Sequence, residues 1–220
     1  MKPAALIIGG TSGLGLEISR RLTEYSVYVT GRKKVEEPAV HRIELELNCG
    51  QMLPSELDRV VNQLPPLGLL VYAAGFYQAK TVAQLTDADI SQMLNIGLRA
   101  PVMLLQRILM KQKTLPGFIA ITSSSAWTPR KDEPLYCATK AGLSMLADAL
   151  AEDPACGKVL QVAPGGMKTP FWDGTDKDTS DMLDPSWVAG EVQREFEGDF
   201  SYKYIRIFRS PARTEIEEVR

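Results

Sequence analysis

Tyr136 and Lys140 stand four residues apart in the stretch Tyr136-Cys137-Ala138-Thr139-Lys140. On a helix that spacing sets both side chains on one face, one turn apart, an ammonium beside a phenol. A free phenol titrates at about 10, and an adjacent cation favours its ionised form. Bringing it within reach of neutral pH takes on the order of 3–4 kcal/mol, which a partly desolvated lysine can supply. Such a tyrosine can act as a general acid or base. The same spacing also arises on helices whose tyrosine is half buried and whose lysine is solvated, so its meaning depends on the elements that position it.

Competing chemistries have little material. His41 is the only histidine, which leaves histidine-based triads and histidine-based metal sites unsupported, and no metal is expected. Cys49, Cys137 and Cys156 are odd in number and widely spaced, so they read as reduced thiols. The 220 residues suit one domain spanning 1–220, with 45% hydrophobic and 24% charged residues and a net charge of −2. That balance gives no attraction to polyanions, so nucleic acid is not an expected partner. The apolar run Ala4 to Ile8 is too short for a signal-peptide core or a membrane span, so the expected compartment is the cytoplasm, without a membrane partner.

The elements alternate between strand and helix. Ala4-Ala5-Leu6-Ile7-Ile8 suits a strand buried on both faces of a parallel sheet. It runs into Gly9-Gly10-Thr11-Ser12-Gly13-Leu14-Gly15, after which Leu16, Ile18, Ser19 and Leu22 keep helical spacing to about Glu24. Strand, glycine turn and helix together make a phosphate cradle, in which Gly9, Thr11, Ser12, Gly13, Leu14 and Gly15 are the candidate positions. The second strand, Val27 to Thr30, ends in Gly31-Arg32-Lys33-Lys34. A basic residue at that tip can hold a ribose 2′-phosphate, so Arg32 favours NADP over NAD.

Ile43 to Leu47 alternates as a third strand, and either Asn48 or the pair Glu46-Leu47 would flank an adenine there. Pro54 to Leu64 has helical spacing and is stopped by Pro65-Pro66. Leu67 to Gly75 is a buried strand whose small residues Ala73, Ala74 and Gly75 let a cofactor approach the main chain. A long apolar helix follows from Thr86 to about Lys113. Asn95 inside it needs hydrogen-bond partners, as a satisfied core residue or as part of a relay.

Gly117 to Ile121 is a fifth strand ending in Thr122-Ser123-Ser124-Ser125, at the sheet edge where open parallel sheets gather function. The helix carrying Tyr136 and Lys140 buries Leu135, Leu143, Leu146 and Leu150. Lys158 to Ala163 is a sixth strand, broken at Pro164-Gly165-Gly166. Trp172 to Asp184 has no apolar period and reads as a mobile substrate loop around 170–185. A short helix from Asp184 and a last strand, Tyr202 to Phe208, precede a charged tail expected to pack weakly.

With these pieces in order the chain resembles the short-chain dehydrogenase/reductase family over nearly its whole length. Six motifs carry the resemblance: Gly9-x-x-x-Gly13-x-Gly15, Ala73-Ala74-Gly75, Asn95, a serine ending the fifth strand, Tyr136-x-x-x-Lys140, and Pro164-Gly165-x-Met167-x-Thr169. Tyr72 and Ala73 replace the family's usual asparagine pair, so bonds that brace the sheet there must be made differently. Spacing from Tyr136 picks Ser123, and spacing from Gly117 picks Ser124. Ser123 is preferred, because serine and tyrosine must meet over one substrate atom.

The resemblance implies an α/β fold: a three-layer, doubly wound Rossmann domain with a mostly parallel sheet of about seven strands and helices on both faces. It implies hydride transfer between a nicotinamide and a carbonyl or alcohol. Tyr136 would donate or remove the proton, Ser123 would stabilise the same oxygen, and Lys140 would lower the tyrosine pKa and bond the nicotinamide ribose. Asn95 would hold a relay water. Pro164, Gly165, Met167 and Thr169 belong to the cofactor site, with the last three cradling the carboxamide. Phe76, Tyr77, Trp127, Phe171 and Trp172 would contact an apolar or aromatic substrate. A homodimer or homotetramer packed through the helices around Asn95 and Leu143 is expected. The alternative from another class is a sensor or scaffold that binds NADP without turnover. A sugar-nucleotide epimerase would need a larger C-terminal part than this chain has.

Overall fold

The computed structural model describes residues 2–31, 33–35, 37 and 40–220. Its centre is a sheet of eight strands: β1 (Ala4–Ile8), β2 (Ser26–Thr30), β3 (Val40–Ile43), β4 (Leu67–Tyr72), β5 (Leu115–Ile121), β6 (Cys156–Pro164), β7 (Tyr202–Arg209) and β8 (Ala212–Val219). They lie in the order β3-β2-β1-β4-β5-β6-β7-β8, with every neighbouring pair parallel except β7 and β8. Order reverses between β1 and β4, the switch point at which α/β sheets open a crevice.

Alternation along each strand feeds two cores. Ala4, Leu6 and Ile8 of β1 face one side, where they meet α2 (Leu53–Gln63), α4 (Ala100–Gln112) and α5 (Pro134–Leu150) through Leu57, Leu104 and Leu143. Ala5 and Ile7 face the other side, against α1 (Gly13–Arg21) and α6 (Pro185–Glu197) through Ile18, Val188 and Val192. This double burial is why β1 and β4 read as unbroken apolar runs. Each fully buried leucine or isoleucine contributes about 1.5–3 kcal/mol.

Four expectations need correction. The third strand lies at Val40–Ile43, not Ile43 to Leu47. Its partner β2 ends at Thr30 opposite Ile43, so residues 44–47 have nothing to pair with. Leu45 is buried all the same, which explains the alternating pattern. The long helix is interrupted: α3 (Asp87–Leu94) passes through a π turn at Asn95–Arg99 before α4 begins with Pro101 in its first turn. By length and composition the run Asp87–Gln112 could cross a bilayer, yet Leu104, Leu105 and Ile108 are buried in the core. The helix after Asp184 is not short, with 13 residues capped by the Asp184 carboxylate.

The fourth correction concerns the tail, which is an antiparallel edge strand rather than a weakly packed end. β8 pairs with β7 from Arg209↔Ala212 to Lys203↔Val219, which makes the sheet eight-stranded rather than seven. The residue after it is fastened from several directions. Arg220 pairs with Asp148 of α5 and with Glu152 in the turn after it, and its guanidinium sits 4.2 Å from the Tyr202 ring centroid. An edge strand with charged residues on both faces carries no apolar period, so alternation could not reveal it.

Candidate active site

The ends of β1, β4, β5, β6 and β7 surround a cleft of about 900 Å³. On the β1 side, Gly9 has φ +82, and a Cβ there would come within 2.9 Å of the Ala74 main chain. The small residues at the end of β4 therefore let two chain segments touch. A Cβ on Gly13 would lie 3.2 Å from Thr169, so the glycine turn also meets the segment after β6. Ser12 precedes α1 without using its side chain as a cap. The first N–H groups of α1 face the cleft with the positive end of the helix dipole, which fits a pyrophosphate.

Most of the expected cofactor positions line this cleft: Gly9, Thr11 to Gly15, Ala73 to Gly75, Pro164, Gly165, Met167 and Thr169. Of the alternatives for the adenine side, Glu46 and Leu47 line the cleft and Asn48 does not. Arg32 lies outside the described residues. Gly31 and Lys33 on either side of it both line the cleft, and the Arg42 guanidinium braces their carbonyls at 3.3 and 3.1 Å.

The expected catalytic groups come from the end of β5 and from α5. Pro134 starts α5 in its first turn and Tyr136 follows two residues later, 8% exposed. The Ser123 hydroxyl stands near enough to favour the ionised phenol, and it accepts from the Ser125 N–H at 3.1 Å. Ser124 is turned away, its hydroxyl accepting from the Arg130 guanidinium at 3.1 Å. Lys140 donates to the Ile121 carbonyl at 3.1 Å. Its Nζ stands 5.7 Å from the Tyr136 ring centroid and 3.5 Å from where a Cβ on Gly75 would sit.

Burial controls the titration of both groups. It pushes the Tyr136 phenol up, a push that outweighs the opposing pull of the Ser123 hydroxyl and is reinforced by Glu133. The expected lowering by Lys140 therefore does not prevail in the protein alone. Burial also pushes the Lys140 ammonium down to about 8. Desolvation disfavours the charged form of each, so the pair meets as a neutral phenol beside a readily neutralised amine.

Asn95 is not brought to the cleft wall. It is buried in the π turn, its amide oxygen accepting from Arg99 at 3.4 Å, while the next residue, Ile96, lines the cleft. Phe76, Tyr77, Trp127, Phe171 and Trp172 all line the mouth. Tyr77 and Trp172 have ring centroids 4.8 Å apart, and Phe171 lies 5.0 Å from Trp172 and 6.1 Å from Tyr136. Sequence reasoning missed Glu133, which accepts from the Tyr77 hydroxyl at 3.1 Å, and Arg130, 3.8 Å from Glu133. It also missed Ile207, Phe208 and Arg209 at the end of β7. The rule that function gathers at carboxyl ends of strands could have found those last three.

A doubly wound sheet with a glycine turn at its switch point and a Tyr-x-x-x-Lys helix beside it defines a dinucleotide-binding oxidoreductase architecture. The family model for short chain dehydrogenases matches residues 3–180, and the chain belongs to that family. Among curated relatives, an uncharacterized oxidoreductase of Staphylococcus epidermidis is 24% identical over 208 residues, covering 86% of this chain and 88% of its own. The 3-oxoacyl-acyl-carrier-protein reductase FabG of Rickettsia bellii is 29% identical over 184 residues, covering 79% and 75%. A short chain dehydrogenase from Burkholderia cenocepacia, solved in complex with NADP, superposes with a TM-score of 0.77 at 24% identity over 94% of this chain and 96% of that one. One from Sphingobium yanoikuyae, solved with NADPH, gives 0.77 at 21% identity over 89% and 84%.

Proposed function

We propose that the chain is an NADP-dependent reductase of an apolar or aromatic carbonyl compound, working also in the reverse direction on the alcohol. The observation that carries this reading is the buried pair Tyr136 and Lys140, with Ser123 beside them, in a cleft that also holds the glycine turn. A bound nicotinamide supplies or accepts the hydride. The protein's own groups handle the oxygen. Tyr136, held neutral by burial, donates its proton to the forming alkoxide, and Ser123 hydrogen-bonds the same atom where charge develops. Lys140 in its charged form favours transfer of that proton and holds the cofactor ribose. Gly9, the residues from Thr11 to Gly15, and Ala73 to Gly75 would hold the phosphates and adjoining sugar. Met167 and Thr169 would hold the carboxamide end.

The aromatic group Tyr77, Phe171 and Trp172 supports an apolar or aromatic substrate, because polarisable rings at 4.8–5.0 Å give dispersion contact with little hydrogen-bond demand. Arg32, with Lys33 lining the cleft beside it, supports NADP, as do the NADP and NADPH carried by structures of the same fold. Val102 and Met110 of α4 and Met145 of α5 expose large apolar side chains, which supports self-association through these helices. Leu143 itself is buried in the chain's own core.

Replacing Tyr136 with phenylalanine tests the chemistry. NADPH oxidation over a carbonyl panel is expected to fall by about 10³-fold or more while NADPH still binds. Parental turnover would sink the assignment, and tight NADPH binding by a parent that turns over nothing would favour the sensor reading. Arg32→Asp should move the NADPH to NADH preference toward NADH by about tenfold or more. An unchanged ratio would remove Arg32 from the phosphate site.

A further inference from the structure

Tyr72 ends β4 with its side chain fully buried, and it does not line the cleft. Its hydroxyl donates to the Ile96 carbonyl at 2.5 Å, inside the π turn. Neither the α nor the π register gives that carbonyl a donor within its own helix. In an α register its partner would be the Ala100 N–H, but this N–H donates to the Asn95 carbonyl instead. In the π register the donor would be residue 101, and Pro101 has no N–H. A buried carbonyl without a partner is strongly disfavoured, so Tyr72 supplies from the sheet the hydrogen bond that the helix cannot make.

The turn so held presses directly on α5. A Cβ on Gly97 would come 2.7 Å from Cβ of Thr139, and a Cβ on Gly142 would come 2.6 Å from the Leu98 side chain. The contacts of Gly97 and Leu98 therefore fall on either side of Lys140. We propose that Tyr72 is a positioning residue: by satisfying Ile96 it keeps the π register, and the π register sets where α5 holds Lys140 against the Ile121 carbonyl. The role given to Lys140 rests on the reductase reading above.

Tyr72→Phe removes the hydroxyl and keeps the ring, and Gly97→Ala displaces the same turn from the α5 side. In Tyr72→Phe, amide exchange across residues 95–100 should quicken by about tenfold. NADPH affinity should weaken by a similar factor, and kcat should fall by about tenfold while KM for the carbonyl stays within about twofold. The double variant should lose less than the product of the two single losses, because both act through one displacement. A lower Tm with parental exchange, NADPH affinity and kcat would overturn the proposal. Faster exchange with parental NADPH affinity and kcat would overturn it as well, leaving Tyr72 a purely structural group. Exchange and NADPH binding are read without turnover, so a parent inactive on every carbonyl would refute the reductase reading and still leave Tyr72 tested.

Discussion

The floor and the mouth of the cleft are built on opposite plans. The floor consists of touching chain segments and buried side chains: Gly9 against Ala74, Gly13 against Thr169, Tyr136 beside Lys140, Lys140 on the Ile121 carbonyl. Tyr136 and Lys140 are less than a tenth exposed, and both are fixed on α5, with Lys140 bonded to the end of β5. The mouth consists of large side chains on connecting segments. Tyr77, Phe171 and Trp172 pack on one another, and Arg209 reaches Asp181 at 3.5 Å in an exposed pair worth about 0–1 kcal/mol. On the proposed reductase reading, a rigid floor fixes the chemistry and an adaptable mouth selects what reaches it.

The sharpest way to break this contrast is at the serines. Ser123→Ala should lower kcat by about 10²–10³-fold with little change in KM, since it removes a donor used where charge develops. Ser124→Ala, which loses only its bond from Arg130, should stay within about threefold. Equal losses would mean that the floor tolerates either hydroxyl and is not rigid. The next effect is on pH. Lys140 is an ammonium below about 8 and a neutral amine above it. NADPH affinity should therefore fall as pH rises through about 8, and Lys140→Met should bind weakly and without that step. Titration by fluorescence checks both, and a parental curve flat between pH 6 and 10 would remove Lys140 from the cofactor.

The floor was legible in the sequence because its residues are dictated locally. A positive φ at Gly9, contact with a neighbouring main chain at Ala74, and an i, i+4 pair on a helix each constrain residue type at a fixed spacing. Its hidden part is Tyr72, whose hydroxyl finds Ile96 across 24 residues of chain. No local pattern announces a π turn, although Pro101 just beyond it removes a donor. The different surroundings of Ser123 and Ser124 were also hidden, being set by a three-residue 3₁₀ turn after β5 rather than by spacing. The mouth was legible in kind, since aromatics follow strand ends, but not in arrangement. Glu133 meets Tyr77 across 56 residues, and β8, which fastens the strand supplying Arg209, has no apolar period to betray it.

Trp172 gives the smallest effect and the most direct reading of the mouth. Its indole N–H donates to the Met167 carbonyl at 2.9 Å, and its ring packs on Tyr77 and Phe171. It therefore touches both plans: the hydrogen bond leads to the segment lining the floor, and the ring belongs to the aromatic mouth. Trp172→Phe keeps apolar area and drops the donor, so KM for an aromatic carbonyl should change by less than about threefold. Trp172→Ala removes the ring and should raise that KM by about five- to twentyfold while kcat stays within about threefold. An apolar but non-aromatic carbonyl should show a smaller rise, because stacking adds to area. If Trp172→Ala instead lowers kcat and spares KM, the ring is acting through Met167 on the floor, and the division between a floor that reacts and a mouth that selects does not hold at this residue.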